Sequence, residues 1–135
     1  MNIIQIIFLT KEILIMTPEQ ELKQFALDSH NYFIKNKWLQ KDESLYIYVR
    51  RSRRILNNNI YIMLDIANVE ANPKGKGRFS KFIDYVLDSK LEPFQGVFVE
   101  NVMVKRFQNF FKKLNFTEYY SNMEKEGFPS FYLIY

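Results

Sequence analysis

The stretch Lys74-Gly75-Lys76-Gly77-Arg78-Phe79-Ser80 brings together the residue types best suited to chemistry in this sequence. It follows the apolar run Ile60–Val69. It precedes Phe79, Phe82, Ile83, Val86 and Leu87, which recur at helical spacing. The order is therefore strand, glycine loop, helix. A helix start leaves backbone N–H groups unpaired and carries a partial positive charge. Glycines let those groups converge and let a ligand approach the backbone. Lys74, Lys76 and Arg78 add full positive charges. Such a nest fits a pyrophosphate. Each charge-assisted hydrogen bond there would contribute about 1.5–3 kcal/mol net. The same residues would also serve as an ordinary solvated loop. Two nucleotide motifs are excluded. Glu70 occupies the place of the first Walker A glycine, and no Ser or Thr follows Lys76. The dinucleotide fingerprint lacks its third glycine.

Other residues could join that site. Asn68, Val69 and Glu70 end the strand before the loop. Glu100 closes the short buried-type strand Gly96–Glu100, at the carboxyl edge of the sheet where ligands collect in such folds. It is a candidate base and equally a helix-capping carboxylate, since a helix follows closely. Asn101 is either a cap or a ligand contact. Tyr119 and Tyr120 are fallback acids, although aromatic strand residues usually pack. Arg50, Arg51, Arg53 and Arg54 beside Tyr46 and Tyr48 resemble a single-stranded nucleic-acid surface. Strand alternation splits the four arginines across two faces, which weakens that reading. The absence of cysteine excludes disulfides, thiolate zinc and cysteine nucleophiles. One histidine, His30, leaves no room for a histidine metal cluster or a usual serine triad, so no metal site is expected. His30 reads as a partly buried structural residue.

The elements that must position these groups fit one domain. The chain has 135 residues, 47% hydrophobic and 25% charged, with 13 Phe and 9 Tyr to fill a core. A net charge of +4 suits a phosphorylated ligand or a weak nucleic-acid contact. Residues 1–16 form an aliphatic extension, too short to span a bilayer and without a signal-peptide pattern. A cytoplasmic domain over 17–135 is expected, with Met16 as an alternative start. The extension could pair between subunits in a homodimer. Thr17-Pro18-Glu19-Gln20 is a capping box that opens a helix over 18–36. A hairpin follows, with strands over 45–56 and 60–70 around Asn57-Asn58-Asn59. Then come the helix after the loop, strand 96–100, and a helix carrying Met103, Phe107, Phe110, Phe111 and Leu114. Strands at 117–120 and 131–135 end the chain. This order predicts an α/β fold: a mixed sheet with helices on both faces.

Pro73-Lys74-Gly75-Lys76-Gly77-Arg78-Phe79 resembles the acetyl-CoA loop of the GNAT acetyltransferases, Arg/Gln-x-x-Gly-x-Gly/Ala. Lys74 takes the Arg/Gln place, Gly77 the first glycine and Phe79 the last Gly/Ala. Val99-Glu100-Asn101-Val102 through Phe107, Phe111, Leu114, Asn115 and Phe116 is similar to the second GNAT block. The resemblance covers about residues 45–120 and looks like that of small GNAT-like proteins of phages and bacteria. It implies the acyl-CoA N-acyltransferase fold and acetyl-CoA as co-substrate. It also implies direct acetyl transfer to an amine, with the cofactor's pantetheine arm along Asn68, Val69 and Glu70. Four positions depart from the family pattern. Phe79 replaces a small residue, Phe111 the tyrosine that protonates the leaving sulfur, Val104 an asparagine, and Asn115 a glycine in a left-handed turn. A catalytically inert GNAT-like binding module is therefore the main alternative, and a nucleic-acid-binding protein the third.

Overall fold

The computed structural model describes residues 16–32, 34–42, 45–71, 77–121 and 125–135. The N-terminal extension, residues 1–15, lies outside them. Helix α1 (Pro18–Tyr32) opens on the expected capping box. The Gln20 amide donates to Thr17 Oγ1 at 3.1 Å, and the Thr17 amide donates back to Gln20 Oε1 at 2.9 Å. The helix ends at Tyr32, short of the expected residue 36. A strand missing from the sequence reading follows, β1 (Asn36–Asp42). It shows no apolar alternation because Leu39 is its one buried hydrophobic side chain among those described. Pairing with the next strand, a tertiary effect, makes it a strand. His30 is exposed in the last turn of α1, contrary to the partly buried position expected of it.

Strands β2 (Leu45–Leu56) and β3 (Asn59–Ala71) form the long hairpin. Asn57 and Asn58 turn it with φ of 51° and 66°, the left-handed pair that a two-residue hairpin loop requires. Helix α2 (Arg78–Ser89) crosses over to β4 (Gly96–Val99), which lies parallel to β3. Helix α3 (Lys105–Lys113), β5 (Thr117–Tyr119) and β6 (Ser130–Ile134) complete a six-stranded sheet of order β1-β2-β3-β4-β6-β5. The β3–β4 pair is the parallel one, and the other neighbours are antiparallel. Among the described residues, no helix is long and apolar enough to cross a membrane.

Strand alternation separates two apolar clusters. Ile47, Val49, Leu64, Ile66, Val97 and Val99 face one way. The buried sides of the three described helices join them, with Leu22 and Phe25 from α1, Phe82 and Val86 from α2, and Phe111 from α3. On the other face Leu56, Met63, Phe98 and Tyr132 form a smaller cluster, built from strand residues among those described. Helix α3 starts two residues after Met103, which is 66% exposed rather than part of the helical stripe. The cause is local. Asn101 has a left-handed φ of 48°, and the Val102 amide is held by the Pro129 carbonyl at 2.8 Å, so the chain stays extended as far as Val104. Asn115 adopts φ 64°, the left-handed turn expected at this glycine-like position.

Gly96 starts β4 where the sheet is tightest. A Cβ there would run into the Leu133 carbonyl oxygen and lie 2.9 Å from Met63 Cε. Backbone cannot move aside cheaply. Gly96→Ala is therefore expected to cost about 1–3 kcal/mol in urea unfolding. A midpoint equal to wild type would show that β4 and β6 are not packed this closely.

Candidate functional site

A cleft opens where β3 and β4 part. The register of β2 against β3 runs Tyr48 to Asn68 and then Val49 to Ile66, so Ala67 is an extra residue on β3. Such a bulge bends its strand and increases the local twist. The pairing of β3 with β4 ends at Ile66 opposite Val99. The Glu100 amide still reaches the Ile66 carbonyl at 3.0 Å. Beyond it, β3 continues to Ala71, paired to β2 on one side and with no β4 partner on the other. The resulting cleft has a volume of about 260 Å³. Asn68 and Val69 line one wall and Glu100 and Asn101 the other, with Phe79 and Phe107 from the helices.

The glycine expected to bind phosphate stands at the start of α2, two residues before Phe79, which lines the cleft. Gly77 is exposed, precedes the first residue of α2, and has φ 83°. An added Cβ at Gly77 would meet nothing within 4 Å, so the need for glycine is conformational. The first helical bond runs from the Lys81 amide to the Gly77 carbonyl at 2.9 Å. The amides of Phe79 and Ser80 lie ahead of it, in the first turn, where an α-helix supplies no acceptor of its own. Phe79 does not stand over them. It is 5% exposed and packs edge-on against Phe107 and Phe111, at ring separations of 5.5 and 6.2 Å. The large residue at this small-residue position is thus a wall of the cleft, anchored in the core. Lys74, Gly75 and Lys76 lie outside the described residues. Glu70 is exposed on β3 and does not line the cleft.

Glu100 sits in a charged cluster that sequence reasoning missed. The helix-capping alternative is replaced, because α3 begins at Lys105 and Val104 occupies its cap. Instead Glu100 Oε1 accepts hydrogen bonds from Arg50 Nη2 at 2.5 Å and Arg54 Nη2 at 2.9 Å. Arg54 also forks onto Asp65, with Nε to Oδ1 at 3.0 Å and Nη2 to Oδ2 at 2.7 Å. Asp65 is 1% exposed, and its Oδ1 also accepts from the Ser52 hydroxyl at 2.8 Å. A buried carboxylate is retained in such surroundings because every contact is a charge-assisted or hydroxyl hydrogen bond. Burial pulls the Arg54 pKa down. The hydrogen bond and charge of Asp65, followed by those of Glu100, outweigh it and raise the pKa above the ordinary arginine value. The available signals were the alternation of Arg50, Ser52 and Arg54 and a lone Asp65 inside an apolar run. Arg51 is on the opposite face, where its Nη1 donates to the Ser29 carbonyl at 2.6 Å.

The remaining candidates fall elsewhere. Asn101 is not a helix cap. It is exposed, lines the cleft, and its amide donates to Ser130 Oγ at 3.0 Å. Tyr119 packs on Phe98 and Tyr132 in the second apolar cluster and does not line the cleft. The Tyr120 hydroxyl donates to Glu118 Oε1 at 2.9 Å. That bond, then burial, then the Glu118 charge raise its pKa, and it too lies off the cleft. Phe111 lines the cleft but is fully buried among Phe79, Phe116 and Phe131.

No protein-family model and no curated protein matches the sequence. Solved structures do match. One is a mutant of the AtaT toxin bound to the C-terminus of the antitoxin AtaR and acetyl-CoA. It superposes with a TM-score of 0.52 at 14% identity, covering 80% of this chain and 72% of that one. Another is AtaT complexed with acetyl-methionyl-tRNAfMet, with a TM-score of 0.52, 12% identity, and coverage of 80% and 75%. At such identities the likeness speaks for architecture alone. The fold is the GNAT-type acyltransferase fold, a mixed sheet that splays between its central parallel strands.

Proposed function

We propose that this chain is a cytoplasmic N-acetyltransferase that takes its acetyl group from acetyl-CoA and passes it directly to an amine. The observation that carries the reading is the edge of β3 after Ile66, which has no partner strand among the described residues and opens into the cleft beside the N-terminus of α2. The chain's groups fit the co-substrate in three places. Gly77, exposed and left-handed, and the first-turn amides of α2 suit a diphosphate. Lys74, Lys76 and Arg78 would add positive charge around it. The backbone of Asn68, Val69 and Glu70 can accept an extended arm as an added strand. Acetyl-CoA, when bound, supplies a thioester-activated acetyl group. Glu100 lines the cleft and is the carboxylate that would receive the amine's proton, directly or through one water. The superposed AtaT structure that contains acetyl-CoA supports the same reading.

One observation favours a second reading, a catalytically inert module that binds acetyl-CoA, such as a phage or host-interaction protein. Among the described residues no tyrosine lines the cleft, and Phe111 has no proton to give a departing sulfur. Binding without turnover would select this reading.

Gly77→Asp tests the diphosphate seat, because aspartate tolerates left-handed backbone better than most residues and so spares the fold. At a hundred times Kd, acetyl-CoA should stabilise the wild type by about 2.7 kcal/mol in thermal unfolding. The variant should lose nearly all of that gain, and an unchanged Kd would remove the seat from Gly77. Glu100→Gln is expected to lower kcat/KM by about 10²–10⁴-fold. Equal activity at every pH would show that Glu100 is not the base.

A further inference from the structure

The two arginines on Glu100 are not equivalent. Arg54 is constrained in every direction. Its fork on Asp65 fixes the guanidinium within its own plane. The Phe98 ring, 3.6 Å from the guanidinium carbon, fixes that plane from below. Both anchors are themselves held. Asp65 takes the Ser52 hydroxyl, and Phe98 packs against Tyr119 and Tyr132. With fork and stack both set, the direction of the remaining Nη2 hydrogen is set too, and it ends on Glu100 Oε1 at 2.9 Å. Arg50 has no such frame. Its side chain is 40% exposed, against 23% for Arg54, and its other acidic neighbour, Asp65, is 3.8 Å away. A long, half-exposed side chain with one close contact holds its geometry weakly.

We infer that Arg54 is the positioning residue of the cleft: clamped by Asp65 and Phe98, it sets where the Glu100 carboxylate stands, and Arg50, although its contact is the shorter at 2.5 Å against 2.9 Å, is the less constrained partner. The consequence for turnover rests on the proposed base role of Glu100; the positioning itself does not. Lysine keeps the charge but has neither the planar fork nor the stacking face. Arg54→Lys and Arg50→Lys therefore separate geometry from charge.

The test uses the full chain with 13C-labelled glutamate, the Glu100 carboxyl resonance being assigned by its loss in Glu100→Gln. Arg54→Lys should displace or broaden that resonance, and Arg50→Lys should leave it within its linewidth. In acetyl transfer, Arg54→Lys should lower kcat on the order of 10²-fold, as a misplaced reacting group does, with KM for acetyl-CoA unchanged. Arg50→Lys should cost at least ten times less, by about the same scale. Thermal melting checks folding. If Arg54→Lys does not fold, Phe98→Leu removes the stacking face with all charges retained and should move the same resonance. A wild-type resonance in Arg54→Lys, or an equal displacement in Arg50→Lys, overturns the inference. Should Glu100→Gln retain full turnover, the base reading fails, and the carboxyl resonance still decides whether Arg54 positions it.

Discussion

The separation of β3 from β4 after Ile66 is the constraint on which the rest of the site depends. A parallel pair inside a sheet would normally bond along its whole length. Here one extra residue, Ala67, turns β3 away just as β4 stops at Val99. The backbone groups of the next β3 residues lose the neighbour that a central strand would give them. Unpaired backbone donors and acceptors inside a protein are costly unless water or a ligand satisfies them. A cleft walled by Phe79, Phe107 and Val99 on its apolar side is a place where an extended ligand can do so.

Both walls of that cleft are supported from behind. On the helical side Phe79 packs on Phe107 and Phe111, and Phe111 on Phe131, which ties the start of α2 to α3 and β6. On the other side the Asp65–Arg54–Glu100 cluster joins β2, β3 and the end of β4 across the splay. The apolar core thus sets the position of the α2 N-terminus, and a part-buried ionic cluster anchored on buried Asp65 holds the carboxylate. The ionic cluster is kept at a desolvation cost, which full pairing of Asp65 offsets.

Features written in neighbouring residues were legible in the sequence. The Thr17–Gln20 capping box, the Asn57-Asn58 turn, the left-handed Asn115 and the start of α2 after Gly77 all depend on local chemistry. Features that depend on distant partners were not. Strand β1 has a single buried hydrophobe among its described side chains and owes its shape to β2. Met103 continues a helical spacing, yet a left-handed Asn101 and the Pro129 carbonyl hold the chain out of the helix there. Glu100 was legible as a residue of interest, whereas its partners lie 46 and 50 positions away in the chain. The bulge at Ala67 has no signal of its own, since alanine and asparagine in an apolar run read simply as strand.

Amide hydrogen exchange on the full chain, with and without acetyl-CoA, tests the central claim most directly. The account predicts slowed exchange at the amides of residues 67–70 and 77–80 when acetyl-CoA is present, with little change in β1 or β5. Unchanged exchange at both segments, at a concentration that saturates any binding, would contradict it.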